Sequence, residues 1–80
     1  MFIWLMYLEG GDKNKERSAL INCDNINYVL PNRELGSIVY FNNSWDGEDS
    51  LCVTESTATI RDRMIVEAGV ERRAGRDERR

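Results

Sequence analysis

The stretch SIVYFNNSWDGEDSLCVTES, residues 37–56, contains two apolar runs separated by a polar turn, and it ends in a helix start. The first run is rich in β-branched and aromatic residues, which favour strands. Asp46-Gly47 is a strong signal for a hairpin turn between the two runs. Ser56 or Thr57 can cap a helix, because a side-chain oxygen there accepts a hydrogen bond from an N–H of the first turn. The stretch therefore predicts a hairpin that leads directly into a helix.

The chain before this hairpin predicts three more strands. The run FIWLMYL, residues 2–8, is apolar on both of its alternating faces, which is typical of an interior strand covered on both sides. The short runs 18–22 and 26–30 follow, and Pro31 ends the second because proline has no N–H to donate to a strand ladder. With the two strands of the hairpin, these runs make five mostly antiparallel strands, or four if residues 23–25 form a bulge and do not form a turn.

The segment after the hairpin predicts one helix at about 56–69, with an apolar stripe formed by Ile60, Met64, Ile65 and Ala68. Gly69 suits the position at which a helix stops. We therefore expect an α+β fold, in which a small curved antiparallel sheet or open barrel of four to five strands carries one C-terminal helix. Residues 1–70 make up this single domain, and the Arg-rich residues 71–80 form a frayed helical extension or a disordered tail.

The net charge of −3 combines an acidic body with a basic end. Residues 1–70 contain six Lys and Arg against eleven Asp and Glu, whereas residues 71–80 contain five Arg against three acids. An acidic body argues against nucleic acid as the main ligand, because phosphate contacts require Lys and Arg. It fits a protein partner with a basic surface, and it equally fits a protein whose charge merely keeps it in solution.

The apolar N-terminal run is too short to cross a bilayer. It also lacks the basic flank and the small-residue cleavage site of a signal peptide. We therefore expect a cytoplasmic protein without a membrane partner. Because a chain of 80 residues has a thin core, we also expect a homo-oligomer that uses the first strand or an aromatic face.

The sequence argues against several kinds of catalysis. It contains no histidine, so it has no imidazole base, no histidine-activated nucleophile and no histidine metal ligand. Cys23 and Cys52 form no CxxC pair, and we interpret them as small core thiols, or as a disulfide if their strands lie side by side. The acidic residues fall at turns and on helix surfaces, where acid–base chemistry has no support. We therefore expect no enzyme, no metal and no cofactor.

Aromatic side chains are the best remaining candidates for function. Trp45 lies in a turn that does not need a large ring, and three acids lie beside it: Asp46, Glu48 and Asp49. We predict that these four residues contact a protein partner, with Trp45 as a buried anchor and the acids steering a basic surface. The alternative is that Trp45 folds back as a lid on the core. The core is also where we place three other rings: Trp4, Tyr28 and Tyr40.

A second hypothesis is an oligomeric binder that sequesters an anionic nucleotide at a subunit interface. The positive charge would come from four basic residues outside the tail: Lys13, Lys15, Arg17 and Arg61. An aromatic ring would add stacking and cation–π contacts. A third hypothesis is nucleic-acid binding through the Arg-rich residues 71–80.

The order of elements between residues 19 and 65 resembles two known families. ALINCDNINYVL, GSIVYFNN, DSLCVTES and IRDRMI resemble the small flagellar proteins of the FlbD/SwrD type, in which a hairpin leads through V-x-E-S into a terminal helix. Leu20-Ile21-Asn22 and Val53-Thr54-Glu55-Ser56 carry this match. The same succession is similar to the β-rich half of LytTR DNA-binding domains. This chain departs from the first family by NNSWDGED in place of a compact NG turn, and from the second by its acidity.

The pattern as a whole indicates a non-enzymatic interaction protein that binds and modulates a protein partner. The resemblance implies a flagellar accessory protein as an alternative. Short acidic proteins with a Trp-bearing loop and no cofactor are also typical of phage and mobile-element genes, some of which inhibit host defence proteins. By that analogy, the partner would belong to a host system.

Overall fold

Five strands and one long helix make up most of the fold. The computed structural model describes residues 1–34, 36–45 and 47–78, and for residues 70–78 it describes the backbone alone. The elements in chain order are β1 (Phe2–Leu8), β2 (Glu16–Asn22), β3 (Ile26–Pro31), β4 (Ser37–Trp45), β5 (Glu48–Val53) and the helix α1 (Thr57–Glu78). Short 3-10 turns at Glu9–Gly11 and Cys23–Asn25 follow β1 and β2.

The strands form one antiparallel sheet in the order β2-β1-β5-β4-β3. The two edge strands, β2 and β3, are consecutive in the chain and are separated only by Cys23–Asn25. Neighbouring strands lie about 4.8 Å apart, so four spacings of a flat sheet exceed the reach of this short link. The sheet therefore curls until its two edges approach each other. This open barrel with one C-terminal helix confirms the predicted α+β fold.

The chain passes from β2 to β3 at the turn Cys23–Asn25, which we call the corner of the barrel. Hydrogen bonds connect this corner to the end of β4. The Asn43 N–H donates to the Asn25 side-chain oxygen at 2.8 Å, and the Asn25 side-chain nitrogen donates to the Asn43 carbonyl at 3.0 Å. The Asn42 side chain donates to the Asp24 carbonyl at 3.3 Å. Asparagine supplies a donor and an acceptor in one side chain, so the Asn25 side chain can satisfy both the N–H and the carbonyl of Asn43.

The core lies on the inner side of the curl. In β1, Ile3 and Leu5 are buried, while the residues between them face outward, as the period of two along a strand requires. Val39 of β4 and Val53 of β5 are completely buried. Ile60 of α1 packs into the same cluster, so the first part of the helix is attached to the barrel.

The junction between β5 and α1 depends on several close contacts. Ser56 Oγ accepts a hydrogen bond from the Thr59 N–H at 3.1 Å, so Ser56 caps the helix as predicted. The buried Ser37 hydroxyl donates to the Glu55 carbonyl at 2.8 Å. Gly36 passes so close to this junction that a Cβ at that position would overlap backbone atoms. The loop before β4 and the start of α1 are therefore tightly packed.

The helix continues beyond the predicted stop at Gly69 and ends at Glu78. Glycine inside a helix costs about 1 kcal/mol relative to alanine, which weakens a helix and does not by itself end it. The chain beyond Gly69 contains no proline, and its Glu, Arg and Ala residues favour helix. The backbone of residues 71–78 therefore belongs to α1, while Arg79 and Arg80 lie outside the described residues.

Candidate functional site

Trp45 is the last residue of β4 and pairs with Glu48 across the hairpin. Its ring packs edge-to-face against Tyr7, with the ring centres 5.3 Å apart and the ring planes at 77°. It also meets the buried Phe41, at 6.5 Å between ring centres. Trp45 is half-buried and packs against the core. The ring is therefore a partial lid on the core, and part of it remains accessible at the surface.

The acids predicted to accompany Trp45 lie on the same hairpin. Glu48 is exposed, and its carboxylate forms no ion pair with another described side chain. Asp49 accepts a hydrogen bond from the Ser44 hydroxyl at 3.3 Å. Asp46 lies outside the described residues. The structure thus brings together three of the four residues of the predicted partner site.

A cavity of about 730 Å³ lies beside this hairpin, and we call it the hairpin cavity. Tyr7 lines it from β1, Trp45 and Glu48 line it from the hairpin, and Arg17 lines it from β2. The Arg17 Nε donates to the Glu9 carboxylate at 3.0 Å, so the charge of this arginine is matched within the cavity wall. The hairpin cavity therefore combines two aromatic rings with an acid, Glu48, that has no basic partner among the described residues.

The four basic residues of the nucleotide hypothesis do not share a site. Lys13, Lys15 and Arg17 belong to β2 and the loop before it, whereas Arg61 lies on α1. Arg17 lines the hairpin cavity, and Arg61 lines a separate groove between α1 and β3. Lys13, Arg17 and Arg61 each pair with an acid, at 3.7, 3.0 and 3.4 Å. In the described part of the chain, these residues therefore form no cluster of uncompensated positive charge.

The most exposed rings lie elsewhere, on the outer face of β1 and β2. Phe2, Trp4 and Leu20 are 53%, 61% and 49% exposed. Trp4 and Leu20 are directly paired across the two strands. Val66 of α1 is 62% exposed and lines the same groove as these three side chains. We call Phe2, Trp4, Leu20 and Val66 the outer patch.

The prediction that Trp4 and Tyr28 belong to the core is wrong, whereas Tyr40 is half-buried. The inner face of β1 is taken by Ile3 and Leu5, so Trp4 must point outward from the barrel. Tyr28 stacks on Tyr40 with 4.5 Å between ring centres and is still 48% exposed. The two apolar faces of residues 2–8 are the signal that could have located the outer patch, but only the curl of the sheet shows which face is outside.

Glu55 forms the base of the groove beside the outer patch. Its carboxylate accepts hydrogen bonds from the Met6 N–H at 3.0 and 3.1 Å and forms an ion pair with Arg63 at 2.6 Å. Arg63 also donates to the Trp4 carbonyl at 2.8 Å. Strand pairing between β1 and β5 is limited to a short ladder at Tyr7, so these side chains satisfy backbone groups of β1 that no strand reaches. They join α1 to β1 at the base of the groove.

Other kinds of site receive no support from the geometry. Within residues 1–34, 36–45 and 47–78, no three Cys, Asp or Glu side chains are grouped to hold a metal ion. Cys23 and Cys52 are not joined by a disulfide. In the same part of the chain, no helix has the length and apolar composition needed to span a bilayer.

Comparison with known proteins adds no relative: no protein-family model, no curated protein and no solved structure matches this chain. The described residues present two candidate binding surfaces, the outer patch and the hairpin cavity.

Proposed function

We propose that the protein is a non-enzymatic interaction module that binds a protein partner through the outer patch. The observation that carries this proposal is the exposure of Phe2, Trp4 and Leu20 on one continuous face. An aromatic ring exposed to this degree leaves on the order of 100 Å² in water, and covering apolar surface contributes about 25 cal/mol per Å². Exposed apolar patches rimmed by polar groups mark interaction sites, and tryptophan is enriched among residues that dominate binding energy.

The groove beside the outer patch supports a partner with a basic, partly apolar segment. The groove has a volume of about 750 Å³, and Asp62 and Glu67 of α1 lie on its rim. Asp62 is paired with Arg61, whereas Glu67 forms no ion pair with another described side chain. A partner segment could place an apolar side chain on Trp4 and a basic side chain near Glu67. This arrangement agrees with the excess of acids over bases in residues 1–70.

Binding alone is sufficient for the protein to modulate its partner. A bound module of this size covers part of its partner's surface, so it can block whatever else binds there. This activity needs no catalytic group. It also agrees with the analogy to small phage proteins that inhibit host proteins.

Site-specific photo-crosslinking in cells that express the protein tests the proposal. A photoreactive phenylalanine analogue replaces Trp4 or Leu20, and in the matched control it replaces Tyr28, which is similarly exposed on the other edge strand, β3, and does not line the groove beside the outer patch. We expect one defined adduct with another protein from positions 4 and 20 and none from position 28. The adduct from position 20 should disappear when Trp4→Glu is added and persist when Tyr28→Glu is added.

Three results would contradict the proposal. Adducts of equal yield from all three positions would indicate general stickiness, and the absence of any adduct from positions 4 and 20 would leave the outer patch without a partner. An adduct of two copies of this chain would assign the outer patch to self-association and would leave no separate partner for this face.

A further inference from the structure

We propose that the hairpin cavity binds an alkylammonium group, such as the end of a lysine side chain. The cavity contains no residue of the outer patch, so this inference goes beyond the proposed function. Tyr7, Trp45 and Glu48 are among the residues that line it. The face of an aromatic ring and a carboxylate both attract a cation and repel an anion.

Two aromatic rings of the cavity wall attract a cation. Tyr7 and Trp45 meet at 77°, so their planes form a nearly perpendicular corner in the cavity wall. A cation within about 6 Å of a ring centre is attracted by the negative face of the ring, most strongly for tryptophan. Both side chains are only half-buried, so the corner is accessible to a ligand.

The charged side chains of the cavity wall also favour a cation. Glu48 lies in the same wall as the rings and pairs with no base among the described residues. Arg17, the base in this wall, donates to Glu9 and is therefore compensated. The exposed Asp49 of β5 adds a second carboxylate to the same hairpin, next to Glu48 in the chain. An anion would meet this negative field, whereas a cation is drawn towards it.

The cavity also has space beside two glycines. Gly10 and Gly11 form one side of the wall, and a Cβ at either position would meet no atom within 4 Å. These two glycines therefore leave space beside them that a flexible aliphatic chain can occupy. A lysine side chain has such a chain, with its charge at the end.

A binding experiment with choline tests the proposal, because choline carries a quaternary ammonium group and has a neutral isostere, 3,3-dimethylbutanol. The sequence contains two tryptophans, so Trp4→Phe leaves Trp45 as the only indole. In this background, the indole N–H resonance of Trp45 reports occupancy of the hairpin cavity. We expect a saturable shift with choline and no saturable shift with the neutral isostere.

Glu48→Gln in the same background separates the role of the charge from that of the rings. This side chain is exposed, so we expect the variant to fold and to bind choline at least about fivefold more weakly. Glu67→Gln, which changes an acid beside the outer patch, is the matched control and should leave choline binding unchanged. Unchanged folding is verified by the dispersion of the methyl resonances.

The possible results are decisive in either direction. The proposal is overturned if choline produces no saturable shift, if the neutral isostere binds equally well, or if Glu48→Gln and Glu67→Gln weaken binding to the same extent. Charge-selective binding that Glu48→Gln alone weakens supports it.

Discussion

Gly36 shows how a single residue controls the junction between the sheet and the helix. Its φ angle is +68°, in the left-handed region that glycine tolerates and other residues rarely adopt. A Cβ at this position would lie 2.7 Å from the carbonyl carbon of Thr54 and 2.8 Å from its oxygen. These are backbone atoms that cannot rotate away, so any side chain at position 36 must displace the link between β5 and α1.

Gly36→Ala should therefore lower the free energy of unfolding by about 3 kcal/mol or more, which combines left-handed strain with a backbone clash. Gly10→Ala is the matched control, because Gly10 also has a positive φ, +62°, but has open space where the Cβ would lie. We expect the control to lose only about 1 kcal/mol. Urea unfolding of both variants measures the difference, and equal losses would show that the contact with Thr54 is unimportant.

Glu55 and Ser56 have structural roles that account for the V-T-E-S sequence. Glu55 connects Met6 to Arg63, and Ser56 caps α1. These two side chains therefore stabilise the path from the hairpin into the helix.

At the scale of the element, α1 has two parts with different environments. Ile60, in the second turn, is 1% exposed and belongs to the core cluster. Ile65, five residues later on the same helix, is 63% exposed. The helix is therefore held to the barrel by its first turns, and the later turns extend the surface that carries Val66 of the outer patch.

Replacing the two isoleucines of α1 separately tests this division. Ile60→Ala removes buried methyl groups and leaves a cavity, so it should cost about 2–5 kcal/mol. Ile65→Ala makes the same chemical change at an exposed position of the same helix and should change stability by less than about 0.5 kcal/mol. Thermal and urea unfolding provide the comparison. Similar losses for both would mean that the outer side of α1 is covered, for example by a second copy of the chain.

At the scale of the whole molecule, the curl of the sheet depends on the corner between β2 and β3. The corner connects the two edges of the sheet, and the paired hydrogen bonds of Asn25 and Asn43 hold it. The curl encloses Ile3 and Leu5, and it places Trp4 on the outside. The outer patch therefore exists because the sheet curls in this direction.

Asn25→Ala removes both hydrogen bonds to Asn43 and should destabilise the fold by about 1–2 kcal/mol, since each bond contributes about 0.5–1.5 kcal/mol net. Asn27→Ala is the control, because Asn27 is an exposed residue of β3 whose side chain forms no hydrogen bond with the described residues. Amide hydrogen exchange provides a local readout: the Asn43 N–H should exchange faster in Asn25→Ala only. Unchanged protection of Asn43 would contradict the role of the corner.

The sequence by itself determined the elements and their order. The hairpin around Asp46-Gly47, the helix cap at Ser56 and the strand end at Pro31 all depend on neighbouring residues, so they can be recognised without the fold. The helix end is the exception, because the stop signal at Gly69 is weak beside the helix-forming residues that follow it.

Only the tertiary structure decided which residues face outward and which share a site. The outward direction of Trp4 depends on the curl, and the contact of Tyr7 with Trp45 joins strands that are distant in the chain. The predicted basic residues are also separated by the fold, because Arg61 lies on α1 and Lys13 lies in the loop before β2. Neighbouring residues determine whether a segment forms a strand or a helix. Packing against elements that are distant in the chain determines which face of it is buried. For this reason, the sequence indicated that aromatic rings are exposed at the surface, and the structure shows that Phe2 and Trp4 of β1 are two of them.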